Sequence, residues 1–231
     1  MRSVLVTRPA GPDDALVAAL RQRGFQVHPV PTVTTAPIPV EAAALEGFDW
    51  IVVTSATGVA ALPELPGDAR WAAVGAATAA ALAERGVTAS VLPERANGKR
   101  LAEAIPEPGG KRILLARAEI AAADLPGRLR ERGAEVVELA VYRTLEGPET
   151  SRQALAEALA DPELGGGVFA SASAVRGYLA LGGRIDLPAV TIGPRTTGAA
   201  VEVGMRVLGE AREQSAAALA AAVAAALPLE V

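Results

Sequence analysis

Hydroxyl-bearing residues gather at four points where a β-branched run gives way to a small-residue helix start: Thr54-Ser55-Ala56-Thr57, Gly75-Ala76-Ala77-Thr78, Ser171-Ala172-Ser173 and Gly193-Pro194-Arg195-Thr196. A helix amino terminus leaves N–H groups unpaired and carries the positive end of the helix dipole, so such a turn can receive a carboxylate or a phosphate. Taken singly, each turn has an equally ordinary use, because Ser and Thr cap helices constantly. Four equivalent turns facing one interdomain cleft would together hold a large ligand with several anionic arms. Cations add to the pattern. Arg8 and Arg117 end two equivalent strands, and Arg195 opens a helix, where it opposes the macrodipole unless an anion offsets it. The candidate binding residues are therefore Arg8, Thr54, Ser55, Thr57, Gly75, Thr78, Arg117, Ser171, Ser173, Gly193, Arg195 and Thr196. Each arginine also reads as a solvated surface residue or an ion-pair partner. Tyr142 stands in a connector where a core aromatic would be poorly covered. A phenol there can donate a proton or a hydrogen bond to a departing group, or it can pack a hinge.

Other chemistries are excluded by what is missing. The sequence has no cysteine, which removes disulfides, thiolate metal sites and cysteine nucleophiles together. Its one histidine, His28, lies in a strand-like run and reads as structural, so no triad or multi-histidine metal site is expected. Gly193-Pro194-Arg195 does not complete a dinucleotide fingerprint, Gly165-Gly166-Gly167 precedes a strand rather than following one, and no phosphate-loop motif occurs. No cofactor is expected. A net charge of −4 provides no basic field for nucleic acid. Arg8-Pro9 interrupts the first apolar run before an export signal is complete, and Ala216 to Leu227 is too short to span a membrane. That alanine-rich segment reads as a closing helix, and the expected protein is a cytoplasmic monomer.

The elements that must position these residues come from an internal repeat. Laying Val4-Leu5-Val6-Thr7-Arg8 on Ile113-Leu114-Leu115-Ala116-Arg117 also lays Leu20-Arg21-Gln22-Arg23-Gly24 on Leu129-Arg130-Glu131-Arg132-Gly133, with no gap. A second block matches Ile51 to Val59 with Gly167 to Val175, and Val74-Gly75-Ala76-Ala77-Thr78 with Ile192-Gly193-Pro194-Arg195-Thr196. Each half thus repeats the order strand, helix, strand, connector, strand, helix, strand, helix, strand, helix. Asp14 to Arg23 and Leu125 to Arg132 carry helical spacing and end at Gly24 and Gly133; Thr150 with Gln153 predicts a capping box for the helix that runs toward Leu159. Strands alternating with helices of this length imply parallel sheets with right-handed crossovers.

The connectors argue for two sheets. Pro29 to Pro37 is extended because its prolines disfavour helix, and the repeat sets Leu139 to Thr144 at the equivalent place. These segments should run side by side as a two-stranded hinge, residues 31–37 and 139–146. One discontinuous domain, 1–30 plus 147–231, then reads as a flavodoxin-like sheet, and 38–138 as its circular permutation, each with five parallel strands. Two contiguous repeats that fold separately are the simpler alternative.

Val-Leu-Val-Thr-Arg-Pro at 4–9, Trp50-Ile51-Val52-Val53-Thr54-Ser55 with Gly58-Val59, Ala73-Val74-Gly75 with Thr78, Val141-Tyr142-Arg143-Thr144, and Ile192-Gly193-Pro194 with Thr196-Thr197 together resemble uroporphyrinogen-III synthase. The similarity runs over essentially the whole chain. It implies two flavodoxin-like lobes on a two-stranded hinge and a cofactor-independent lyase. In that reaction hydroxymethylbilane, a linear tetrapyrrole with eight carboxylates, loses water and closes with its last ring inverted. The resemblance also implies that Tyr142 assists departure of the hydroxyl and that Ser55, Thr78, Ser171 and Thr196 line the cleft. A regulatory anion-binding protein of the same fold is the alternative from another class; a nucleotide-dependent transferase is a third.

Overall fold

The computed structural model describes residues 2–8 and 14–228; Pro9, in the opening motif, lies outside them. In chain order the elements are β1 (Ser3–Val6), α1 (Ala15–Gln22), β2 (Gln26–Pro29), β3 (Val33–Pro37), β4 (Trp50–Val53), α2 (Ala56–Ala61), β5 (Arg70–Ala73), α3 (Ala76–Glu84), α4 (Gly98–Ala104), β6 (Arg112–Ala118), α5 (Asp124–Glu131), β7 (Glu135–Glu146), α6 (Arg152–Leu159), β8 (Leu164–Phe169), α7 (Ala172–Ala180), β9 (Ala189–Thr191), α8 (Pro194–Glu202), β10 (Val207–Glu210) and α9 (Ala216–Ala226). The chain divides into two compact units, one made of 1–34 and 145–231, the other of 35–144.

In the discontinuous unit the strand order is β10-β9-β8-β1-β2, and every pairing is parallel. β1 is buried along its whole length, as a central strand covered on both faces should be. The period of two divides its side chains. Val4 and Val6 join Leu16, Leu20, Leu219 and Val223 on the face covered by α1 and α9. Leu5 turns to the other face, against Phe169, Val175 and Tyr178. Asp14 starts α1 by accepting the Leu16 and Val17 amides at 2.9 and 3.0 Å, and Gly24 ends it with a φ of 85° that costs a glycine least.

In the continuous unit the order is β3-β7-β6-β4-β5, with β4 parallel to β5 and β6, and β6 parallel to β7. Ile51 and Val53 face Val59 and Leu82, whereas Trp50 and Val52 face Leu101, Leu125 and Leu129. The fifth parallel strand expected here is reduced to one bridge, Ala72 to Val91, so β3 is the fifth member of the sheet. Pro93 follows within two residues and has no N–H with which to continue the ladder.

Two other expectations are corrected. The capping box at Thr150 does not form, because a 3-10 turn, Glu149–Ser151, precedes α6 and Gln153 bonds Glu157 instead at 2.9 Å. Gly165-Gly166-Gly167 lies within β8 rather than before it. Side chains there would press on Arg2, Pro188 and Phe169.

Arginines close several helix ends. Arg85 donates to the Val59 and Leu62 carbonyls at 2.6 and 3.0 Å beyond α2, Arg132 to Ile105 at 3.0 Å beyond α4, and Arg152 to Leu181 at 3.0 Å beyond α7. A cation there satisfies orphan carbonyls and complements the negative end of the helix dipole. His28 is structural, bonded to Asp161 at 2.8 Å. The same carboxylate accepts from Ser3 at 2.6 Å, a bond that, with those from the Glu163 amide and His28, holds the Asp161 pKa down at about 2. Among the described residues no helix is long and apolar enough to cross a membrane.

Candidate active site

Parallel sheets bring their carboxyl ends, and the helix starts that follow them, to one rim. In the continuous unit β4 leads through Thr54-Ser55 into α2, and the neighbouring β5 leads through Val74-Gly75 into α3. Ser55 has extended angles (φ −156°, ψ 153°) and accepts the Gly58 amide at 2.9 Å, an ordinary cap. Its hydroxyl also donates to the Tyr142 hydroxyl at 3.0 Å. Thr54 is half-buried and Thr57 exposed on the first turn of α2. Gly75 starts α3 without a side-chain cap, leaving the exposed Ala76 and Ala77 at the helix start.

Tyr142 comes from β7 and reaches the same rim through an irregularity. Arg117 pairs with Ala140 but Ala118 pairs with Tyr142, so the register slips past Val141. Val141 and Tyr142 consequently both pack against the cluster that holds Val53 and Val59, where strict alternation would send them to opposite faces. The Glu119 amide donates to the Tyr142 carbonyl at 2.8 Å and fixes the backbone there. The other tyrosine, Tyr178, is fully buried, closed off by the Arg184 backbone on both sides of its hydroxyl, and raised to about 12 by burial.

In the discontinuous unit, β8 and β9 are neighbours and feed α7 and α8. Ser171 caps α7 by accepting the Ala174 amide at 3.1 Å and shares a 2.9 Å hydrogen bond with Ser173. Gly193 precedes α8 with Pro194 in the first turn, a position whose missing N–H costs nothing. Arg195 is exposed in that turn and pairs with no carboxylate among the described residues. Arg8, at the end of β1, is ion-paired with Asp14 at 2.6 Å and remains partly exposed.

Three expected binding residues are placed otherwise. Arg117 is only 6% exposed. Its guanidinium is committed to Glu138 at 3.1 Å and to the Ala122 carbonyl, so it offers no free cation. Thr78 and Thr196, one turn into their helices, point inward and are 4% and 3% exposed. Their amides are taken by the Gly75 and Gly193 carbonyls. The helical period explains both, since the third residue after each glycine faces the sheet.

Sequence reasoning passed over two neighbours of the Gly193 corner. A β-carbon on Gly193 would stand 3.4 Å from the Gln214 amide nitrogen, so that exposed side chain lies beside the turn. Thr197 shares a 2.6 Å hydrogen bond with Thr191 and donates to Glu210. The adjacency of β9 and β10, both ending at this corner, is the signal that could have found them.

A family model described as uroporphyrinogen-III synthase HemD matches residues 14–221. The uroporphyrinogen-III synthase of Synechococcus elongatus is 30% identical over 239 residues, covering 92% of this chain and 90% of that protein. A porphyrin biosynthesis protein HemD of Ruminiclostridium josui is 31% identical over 224 residues, covering 88% of this chain but 44% of that longer protein. Among solved structures, the uroporphyrinogen-III synthetase of Helicobacter pylori shares the fold with a TM-score of 0.66 at 18% identity, covering 95% of this chain and 96% of that one.

Proposed function

Because the chain belongs to the uroporphyrinogen-III synthase family, cyclising lyases of tetrapyrrole biosynthesis, we propose that it converts hydroxymethylbilane to uroporphyrinogen III, with loss of water and inversion of the last ring. In this reading the two units are flavodoxin-like domains of common ancestry, the second permuted, and β3 and β7 form the hinge. The substrate's carboxylates are met by amide donors at the Ser55, Gly75, Ser171 and Gly193 corners and by the hydroxyls of Thr54, Thr57 and Ser173 beside them. Arg195 and Arg8 supply positive charge. The bilane closes spontaneously to the unwanted isomer, so the protein's task is to hold its ends in a geometry that favours attack at the substituted carbon.

The observation that carries the reading is the phenol of Tyr142. It is half-buried at the carboxyl rim of its sheet and bonded to Ser55 at 3.0 Å, while Tyr178 is sealed in the core. A phenol so held can donate to the departing hydroxyl, which leaves as water with the electron pair of its C–O bond. The test is incubation of the purified protein with hydroxymethylbilane, followed by separation of the isomers. Type III product above the type I background is expected; the protein-free ratio would reject the assignment.

A further inference from the structure

We infer that Ser55 is a positioning residue that fixes the direction of the Tyr142 proton, rather than a ligand for substrate carboxylate. The inference rests on the reading that Tyr142 serves ring closure, and it begins from the valence of one hydroxyl. Ser55 Oγ accepts the Gly58 amide at 2.9 Å, and its single proton goes to the Tyr142 oxygen at 3.0 Å. A serine hydroxyl has no second proton to donate, so none is left for a carboxylate. The phenol oxygen, in turn, has one of its acceptor sites filled. Its own proton therefore points away from Ser55, as a donor to whatever occupies the rim. The bond from Ser55 also stabilises the negative charge that gathers on the phenol oxygen as that proton leaves.

The surroundings are built to keep this pair in place. Ser55 follows the end of β4, and Tyr142 lies within β7 opposite the last residue of β6, the strand that separates β4 from β7 in the sheet. Their contact requires the register slip at Ala118 described above. Gly58 leaves room for it, since a β-carbon there would come within 3.2 Å of both Ser55 Oγ and Val53 Cγ1. A serine needed only to cap a six-residue helix would require none of this.

The test compares Ser55→Ala, Ser55→Thr, Ser55→Asn and Tyr142→Phe, with the double variant Ser55→Ala/Tyr142→Phe, by kcat, KM and type III fraction on hydroxymethylbilane. Ser55→Ala should lower kcat roughly tenfold and leave KM within about twofold. Ser55→Thr, which keeps both the cap and the hydroxyl, should recover most of the rate. Ser55→Asn, which caps α2 without a hydroxyl, should not, and this separates positioning from mere helix stability. In the Tyr142→Phe background Ser55→Ala should add almost nothing, because both remove one device. A Ser55→Ala loss that appears in KM, that Ser55→Asn repairs, or that persists undiminished in the Tyr142→Phe background would overturn the inference. A Tyr142→Phe variant at full rate would remove the phenol, and this inference with it, while leaving the synthase assignment standing. The assignment itself falls only if the unaltered chain forms no type III product.

Discussion

Gly177→Ala perturbs the point where both connecting segments meet α7, the helix that Ser171 caps. A β-carbon at 177 would lie 1.9 Å from the Thr32 carbonyl oxygen and 2.9 Å from the Gly147 nitrogen, against 3.4 Å for an ordinary contact. Both are backbone atoms, so no side chain can swing aside; the Thr32 segment must retreat by about 1.5 Å. That movement strains the hydrogen bonds of three donors. The single Thr32 hydroxyl proton is shared between Ala174 O at 2.9 Å and Thr7 O at 3.0 Å, the Thr32 amide donates to Thr7 O at 3.0 Å, and the Gly147 amide donates to Thr32 O at 2.9 Å. Overpacking costs about 1–3 kcal/mol, and losing two of these bonds adds about 0.5–1.5 kcal/mol each. The better helix propensity of alanine returns about 1 kcal/mol. The net loss is about 3 kcal/mol, or roughly 6–12 °C in Tm for a chain of this size. Thermal unfolding followed by circular dichroism measures it, with Gly198→Ala as the control. No atom lies within 4 Å of a β-carbon at 198, so that variant should gain about 0.5–1 kcal/mol. If Gly177→Ala unfolds at or above the parent temperature, the packing argument is wrong.

Three further outcomes are expected. Tyr142→Phe should keep the parent Tm and lower kcat by about a hundredfold; stopped-flow consumption of the bilane reads it, and a drop confined to KM would contradict the donor role. Arg195→Ala should raise KM several-fold with kcat little changed, because in the proposed reading its guanidinium, which pairs with no carboxylate among the described residues, holds substrate and transition state alike. The Arg195 effect should shrink as salt is added, and salt-independence would point away from charge. For Asp161 the folded pKa of about 2 lies below the ordinary value of 3.8, so its stabilising contribution is complete above about pH 4 and is lost as the pH falls toward 2. Asp161→Asn should therefore flatten the pH dependence of urea unfolding across that window, and a slope parallel to the parent's would remove Asp161 from acid unfolding.

Much of the architecture was legible because the repeat preserves spacing. The match of Val4–Arg8 to Ile113–Arg117 and of Gly24 to Gly133 marks equivalent strands and helix ends, and those elements stand where the pattern set them. Spacing also found the corners at Ser55, Gly75, Ser171 and Gly193. It did not tell which side chains at those corners face the surface, since Thr78 and Thr196 turn inward with the helical period. Arg117 looked like the twin of Arg8, but Glu138 and the Ala122 carbonyl absorb it. The weak strand at Val91 could have been suspected from Pro93. The Ser55–Tyr142 bond could not, because it joins residues 87 positions apart and depends on a one-residue slip between two strands that no local pattern encodes.

The most direct trial of the account is a single turnover: protein in slight excess over hydroxymethylbilane, quenched through the time course, with the two isomers resolved at every point. If the rims hold the bilane in the inverting geometry, nearly all of it appears as type III from the earliest sample, and the type I share stays flat as the reaction finishes. A type III share no greater than in protein-free buffer, with the bilane consumed at the spontaneous rate, would contradict the account.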